Sequence, residues 1–202
     1  MHRYAEKWDR RFKSLLEKHD FTKFARSRYT IYGLWPDYSF AYFNPGWYEF
    51  AEKNGGAPTL FEKWDLGSNL MDAVVAELQP FYQDHYSRCL ARNQVWEHDY
   101  QCSSPTYYRS FRQSVYPVSG QALLIVNALN IEELHAGPAT SLDENNMGNY
   151  VDRHGFIHQC CHCRKIQHML DKKRWDWIPA WVEKMPPNTS HGLCPVCFYY
   201  YY

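Results

Sequence analysis

Hydrophobic and polar positions alternate with three different rhythms along the chain, and each rhythm predicts a different element. Between residues 3 and 19, Tyr4, Trp8, Phe12 and Leu15/Leu16 recur at helical spacing among Lys, Arg, Asp and Glu, which predicts an amphipathic helix. Such a face packs on its own domain or on a second copy of the chain, and the pattern allows either. The stretches "YTIYGLWP" (29–36) and "SFAYFN" (39–44) predict two short strands joined by a turn at Pro36-Asp37. A short helix follows in "NPGWYEFAEKNGG". There Asn44 can cap the free amides, Pro45 suits the first turn, and Gly55/Gly56 end it.

"GSNLMDAVVAEL" (67–78) predicts another short helix, and "QPFYQDHYSRCLARN" (79–93) a longer one with Phe81, His85/Tyr86 and Cys89/Leu90 on one face. Three strand patterns come next. In "VWEHDYQC", Trp96, His98, Tyr100 and Cys102 share one face, and Glu97, Asp99 and Gln101 the other. "YYRSFRQSVYPV" alternates more loosely, and "ALLIVNAL" is the unbroken apolar run of a covered central strand. The sum is an α+β layout, one antiparallel sheet with helices laid across one face. The polar stretch 136–155, rich in Gly, Asn and Asp, reads as a linker to a cysteine-rich module at 156–202.

Composition changes this picture in two respects. Lys+Arg and Asp+Glu both total 22, so no global field draws the chain to nucleic acid or to an anionic membrane. Aromatic residues make up 18%, enough to build a ring-rich core or to line a cavity for a flat ligand. The first twenty residues lack the apolar run of a signal peptide, and no later segment has the length of a transmembrane helix. The expectation is a cytoplasmic protein without membrane association. In a reducing compartment the seven cysteines read as metal ligands or buried thiols before they read as disulfides.

Candidate chemistry concentrates at the carboxy-terminal end. Cys160-x-x-Cys163 and Cys194-x-x-Cys197 are two tight turns, each presenting a pair of thiolates, with 30 residues between them. Facing each other, such turns make a tetrahedral pocket for a structural Zn²⁺, with no coordination position left for substrate. Pro195 stiffens the second turn. His162 and His191 stand close enough in sequence to replace a thiolate, or to serve beside the site, and Cys161 points away from it. The insert "RWDWIPAWV" offers three Trp residues as a hydrophobic body for this zinc-ribbon-like module.

The string "YGLWP" (32–36) is one letter from the "HGLWP" signature of secreted acid ribonucleases, but the catalytic histidine position holds Tyr32. A phenol with a pKa near 10 is a poor general base at neutral pH. His98 has no Lys-His-Gly after it, and the family's disulfide framework and signal peptide are missing. No catalytic residue set emerges, and the chain reads as a non-enzyme.

A wider resemblance spans about residues 28–197. "IYGLWPDYSFAYFNPGWYEFAEKNGG", "QPFYQDHYSRCLARNQ" and "VWEHDYQCSSPTYYRSFRQSVYPVSGQALLIVNAL" together resemble a PAS sensor domain, which has two strands, a run of helices, and three further strands of one antiparallel sheet. The tail "CCHCRKI…WDWIPAWV…SHGLCPVC" resembles a zinc-binding extension of some bacterial PAS proteins. The resemblance implies a five-stranded sheet and a ligand or dimerisation function. It divides the chain into an N-terminal helix (1–27, a cap or dimer contact), a sensor (28–135), a linker (136–155) and a zinc module (156–202).

Candidate walls of a sensor cavity are Phe50, His85, Tyr86, Cys89, Trp96, His98 and Tyr100, which serve equally as core. His85 raises haem ligation, whereas Cys102 lacks the flanking Asn-Cys-Arg-Phe of flavin photoreceptors. The implied output runs through a homodimer or a signalling partner. The competing expectation is a nucleic-acid contact by Arg164, Lys165, Lys172, Lys173 and Arg174 beside Trp175 and Trp177, diluted by Asp171, Asp176 and Glu183.

Overall fold

In the computed structural model of the protein, which describes residues 3–16, 22–135, 140–143 and 145–202, the N-terminal amphipathic pattern is split at Asp9. The single helix expected over 3–19 is replaced by a strand β1 (Lys7–Trp8) and a helix α1 (Arg10–Leu16), and 17–19 lie outside the described residues. The reason is local. Asp9 accepts from the Arg11 and Phe12 amides through Oδ1 at 2.8 and 3.2 Å, starting a helix there, while Lys7 and Trp8 pair with a strand edge. Phe12 and Leu16 are buried in this chain's own core.

The chain divides into two compact units, Met1–Asp99 with Arg112–Ala128, and Tyr100–Phe111 with Leu129–Tyr202. After α1, the first unit holds α2 (Thr22–Ala25), β2 (Thr30–Leu34), β3 (Phe40–Phe43), α3 (Pro45–Lys53), α4 (Thr59–Lys63), a 3-10 turn at Leu70–Ala73 and α5 (Gln79–Arg92). Strands β4 (Trp96–Gln101), β5 (Tyr107–Val118) and β6 (Ala122–Leu134) follow, and their distal portions belong to the second unit. The sheet order is β1-β3-β2-β6-β5-β4, six strands where five were expected; the addition is β1, antiparallel to β3.

Alternation along the central strands explains why both sheet faces are apolar. Tyr32, Phe43, Leu123 and Ile125 pack on one side with Met71, Tyr86 and Cys89. Ile31, Tyr42, Ala122 and Leu124 pack on the other with Phe12 and Leu16. Helices therefore do not lie across one face only: α1 and Phe24 of α2 close the second. That double cover is why "ALLIVNAL" can be continuously hydrophobic. Gly33 is required by the same packing, because a Cβ there would overlap the Phe12 ring. Trp35 meets that ring edge-on at 5.6 Å, so "YGLWP" is a strand fitted under a helix.

Asn44, fully buried, joins three segments. Its Oδ1 accepts from Ile31 N at 2.9 Å and from Trp47 N at 3.0 Å, and its Nδ2 donates to Tyr29 O at 2.9 Å. It thus caps α3, where Pro45 fills the first turn, and also ties that helix to β2.

The second unit has its own four-stranded sheet, ordered β10-β7-β8-β9: β7 (Ile157–Cys160), β8 (Ile166–Gln167), β9 (Trp175–Asp176) and β10 (Thr189–Gly192). Strand β10 runs parallel to β7, and the other pairs are antiparallel. Helices α6 (Pro179–Glu183) and α7 (Pro195–Tyr201) complete it. Its apolar core is Tyr150, Ile157, Ile166 and Ile178, with Trp181 against it. Tyr150 comes from the polar stretch 136–155, which therefore supplies a core residue to this unit. Among the described residues, no helix is long and apolar enough to cross a membrane.

Replacing Asn44 with Ala removes a cap and strands buried amides, and should cost about 2–4 kcal/mol in denaturant unfolding of the first unit. Gly33→Ala should cost about 1–3 kcal/mol by overpacking against Phe12. An unchanged unfolding midpoint in either variant would contradict the packing described.

Candidate metal centre

Two turns bring the four cysteine sulfurs together. The first closes the β7–β8 hairpin: Cys160 N donates to Lys165 O at 2.8 Å, and Arg164 N donates to Cys160 O at 3.0 Å. Arg164 takes a left-handed φ of 66°, a conformation favouring Gly or Asn, so the turn keeps its shape against a local preference. In the second turn Cys194 is the N-cap of α7, and its Sγ accepts from Cys197 N at 3.5 Å, with Pro195 in the first helical turn.

The sulfurs of Cys160, Cys163, Cys194 and Cys197 all lie within 4.8 Å of one another. Cys163 and Cys194 sulfurs stand 3.8 Å apart. A tetrahedral thiolate site with metal–sulfur bonds of about 2.3 Å has edges of about 3.8 Å, whereas a disulfide needs about 2.05 Å. The four are free thiols in a metal-compatible arrangement.

Donor chemistry points the same way. Hydrogen bonds from Cys163, Cys194 and Cys197 pull the Cys160 thiol down, and the converse bond to Cys160 pushes Cys163 up. Sulfurs this close cannot all ionise unless a cation sits among them. Four protein thiolates would give a cation a closed shell, which suits a structural role.

His162, within the first turn, lies beside the cluster. Its Nε2 accepts the Gln101 amide at 3.0 Å, so the ring proton sits on Nδ1, 3.3 Å from Cys197 Sγ. The imidazole donates toward the Cys197 sulfur, a place that would support a metal ligand without replacing one. His191 lies on β10 and is not in the cluster, and neither is Cys161, whose amide donates to Gly192 O at 2.8 Å. Gln101, 61 positions from His162, carried no sequence signal for its part in the site.

Of the candidate cavity residues of the first unit, His85, Trp96 and His98 form a stack of rings. The His85 ring lies 4.4 Å from Trp96 at 5°, and Trp96 lies 4.5 Å from His98 at 14°. Tyr86 Oη donates to Gln113 Oε1 at 3.0 Å, and Cys89 Sγ to Val115 O at 3.4 Å. Burial lowers the His85 pKa. Phe50 lies on α3, half-buried. Tyr100 belongs to the second unit, stacked on Phe111 at 5.3 Å. Tyr32 is buried, its phenol pushed up to about 12 by loss of hydration.

Of the basic candidates, Lys165, Lys172, Lys173 and Arg174 are exposed, and Arg174 pairs with Asp176 at 2.8 Å. Trp175 packs against the cysteine cluster, while Trp177 lies 4.0 Å from the His135 ring. The chain matches no protein-family model, and a search of curated proteins returns no match.

Replacing His162 with Ala should leave metal stoichiometry intact while weakening affinity by about 10- to 100-fold, measured by chelator competition. Loss of the metal altogether would make His162 a ligand.

Proposed function

We propose that the protein is a non-enzymatic bacterial signalling module, a PAS-type sensor joined to a zinc-stapled interaction module. The observation carrying this reading is the element order of one antiparallel sheet: two strands, a helical run over Trp96 and its neighbours, then three strands. That order, counted after the additional edge strand β1, supports the resemblance to the sensor family. The ion is Zn²⁺, because four thiolates in two Cys-x-x-Cys turns suit its tetrahedral, redox-inert chemistry. Cys160, Cys163, Cys194 and Cys197 would hold it, and its contribution is to fasten β7, β8 and the start of α7 together.

The burial and raised pKa of Tyr32 weigh against a ribonuclease-like use of that residue, and four thiolates would leave a bound ion no open position for substrate. A PAS-type unit signals through a bound small molecule or a partner copy, and a cytoplasmic setting fits the reduced thiols.

Metal analysis should give about one zinc per chain, and Cys194→Ser should abolish it. In hydrogen exchange, that variant should lose protection over 156–202 while the β2 and β6 amides stay protected. A metal-free protein with a protected tail would reject the staple. For the sensor, native mass spectrometry of freshly purified protein should reveal a bound small molecule or a homodimer. A bare monomer would reject that half of the reading.

A further inference from the structure

From Asp9 to Arg28 the chain carries seven Lys and Arg against three Asp and Glu, a local excess of four positive charges in a protein whose total is balanced. Helices α1 and α2, with the turn after α2, bear most of them. Both helices cover the same face of the first sheet, since Phe12 and Leu16 of the one and Phe24 of the other enter a single apolar cluster. The polar positions between those anchors therefore point outward together. Arg10, Arg11, Lys13, Arg26 and Arg28 are all exposed. None of the five forms an ion pair among the described residues, whereas Arg3, Lys7, Arg88 and Arg112 of the same unit pair with Glu52, Asp65, Asp84 and Asp99. Asp9 is occupied by the Arg11 and Phe12 amides.

The charge is spread along a strip. Arg11 lies over the Trp35 ring at 5.1 Å, just past the end of β2, and Arg28 stands two residues before its start. At about 3.3 Å per residue the strand alone separates these ends by roughly 17 Å, so a lone phosphate would reach only part of the surface. A polyanion with regularly spaced charges engages it throughout. Four of the five cations are arginines, whose planar forks suit phosphate oxygens. Tyr29, next to Arg28 in the chain and 51% exposed, adds a ring on which an unpaired base can stack. Among the described residues up to Pro36 it is the only large apolar side chain so exposed, which leaves this face little to insert into a lipid layer.

We propose that this face of α1, α2 and the turn into β2 binds single-stranded nucleic acid through its phosphate backbone, without reading sequence. The five cations meet successive phosphates and release their counterions, and Tyr29 stacks on one base. The site belongs to the first unit, not to the basic run of the second, where Arg174 is paired with Asp176. It goes beyond the sensor reading and does not depend on the metal.

The test uses full-length, metal-loaded protein and a fluorescently labelled oligothymidylate of about 20 nucleotides, followed by anisotropy from about 50 to 200 mM salt. The logarithm of the binding constant should fall against log salt with a slope of about −3, at about 0.7 per phosphate over four or five contacts. Arg10→Gln/Lys13→Gln/Arg26→Gln should weaken binding about tenfold or more at the lowest salt and flatten the slope by about 2. All three side chains are exposed, so metal content and melting temperature should not change. Tyr29→Ala should cost about fivefold or more through lost stacking. Lys172→Gln/Lys173→Gln, at exposed positions of the second unit, should bind like the parent. No binding, equal affinity in the triple or Tyr29 variant, or a loss confined to the Lys172/Lys173 variant would overturn the assignment. Tighter binding of a duplex of equal length, of phosphatidylserine vesicles or of polyglutamate would overturn it too, each in favour of a different occupant.

Discussion

Four sulfur atoms confined within 4.8 Å are the constraint on which the second unit rests. Thiolates at that separation repel, and partial protonation satisfies them only by sharing hydrogens, so the arrangement is stable where a cation takes the centre. Around that demand the chain has arranged a hairpin turn with a left-handed arginine, a helix capped by a cysteine, and an imidazole locked in one tautomer by a backbone amide. The apolar core of Tyr150, Ile157, Ile166 and Ile178 is small for so many short strands. A cross-link is what such modules use when the hydrophobic surface is limited.

The first unit follows the opposite strategy. Its sheet is buried on both faces, and stability comes from rings and aliphatic side chains in alternate register along β2, β3 and β6. Polar groups inside it are few and joined: Tyr86 donates to Gln113, and Gln113 Nε2 donates to Asn127 Oδ1 at 3.0 Å. A connected polar chain of this kind fixes register without leaving groups unpartnered. The same packing gives "YGLWPDY" its meaning, since Gly33 makes room for Phe12 and Tyr32 faces the core.

Much of this was legible from residue order. The strands around Tyr32, Tyr42, His98 and Ile125, the helix over 79–92, the Asn44 cap and the cysteine quartet all follow from local rules of period, capping and ligand spacing. The misread parts are those where a distant partner decided the outcome. Lys7 and Trp8 carried a helical pattern, yet the open edge of β3 captured them as a strand. Tyr150 sat among turn formers and was taken into a core by Ile157, Ile166 and Ile178. Helical cover on the second sheet face came from α1, whose apolar stripe was visible but whose docking site was not.

By itself the sequence determined much of the secondary-structure rhythm and the identity of the four clustered thiols, because each depends on spacings of a few residues. Tertiary structure alone decided that Gln101 reaches His162 from 61 positions away, and that the exposed cations of α1 and α2 share one face of the sheet. Such encounters depend on how sheets and turns close in space, and no local period encodes the distance between residues that meet only after folding.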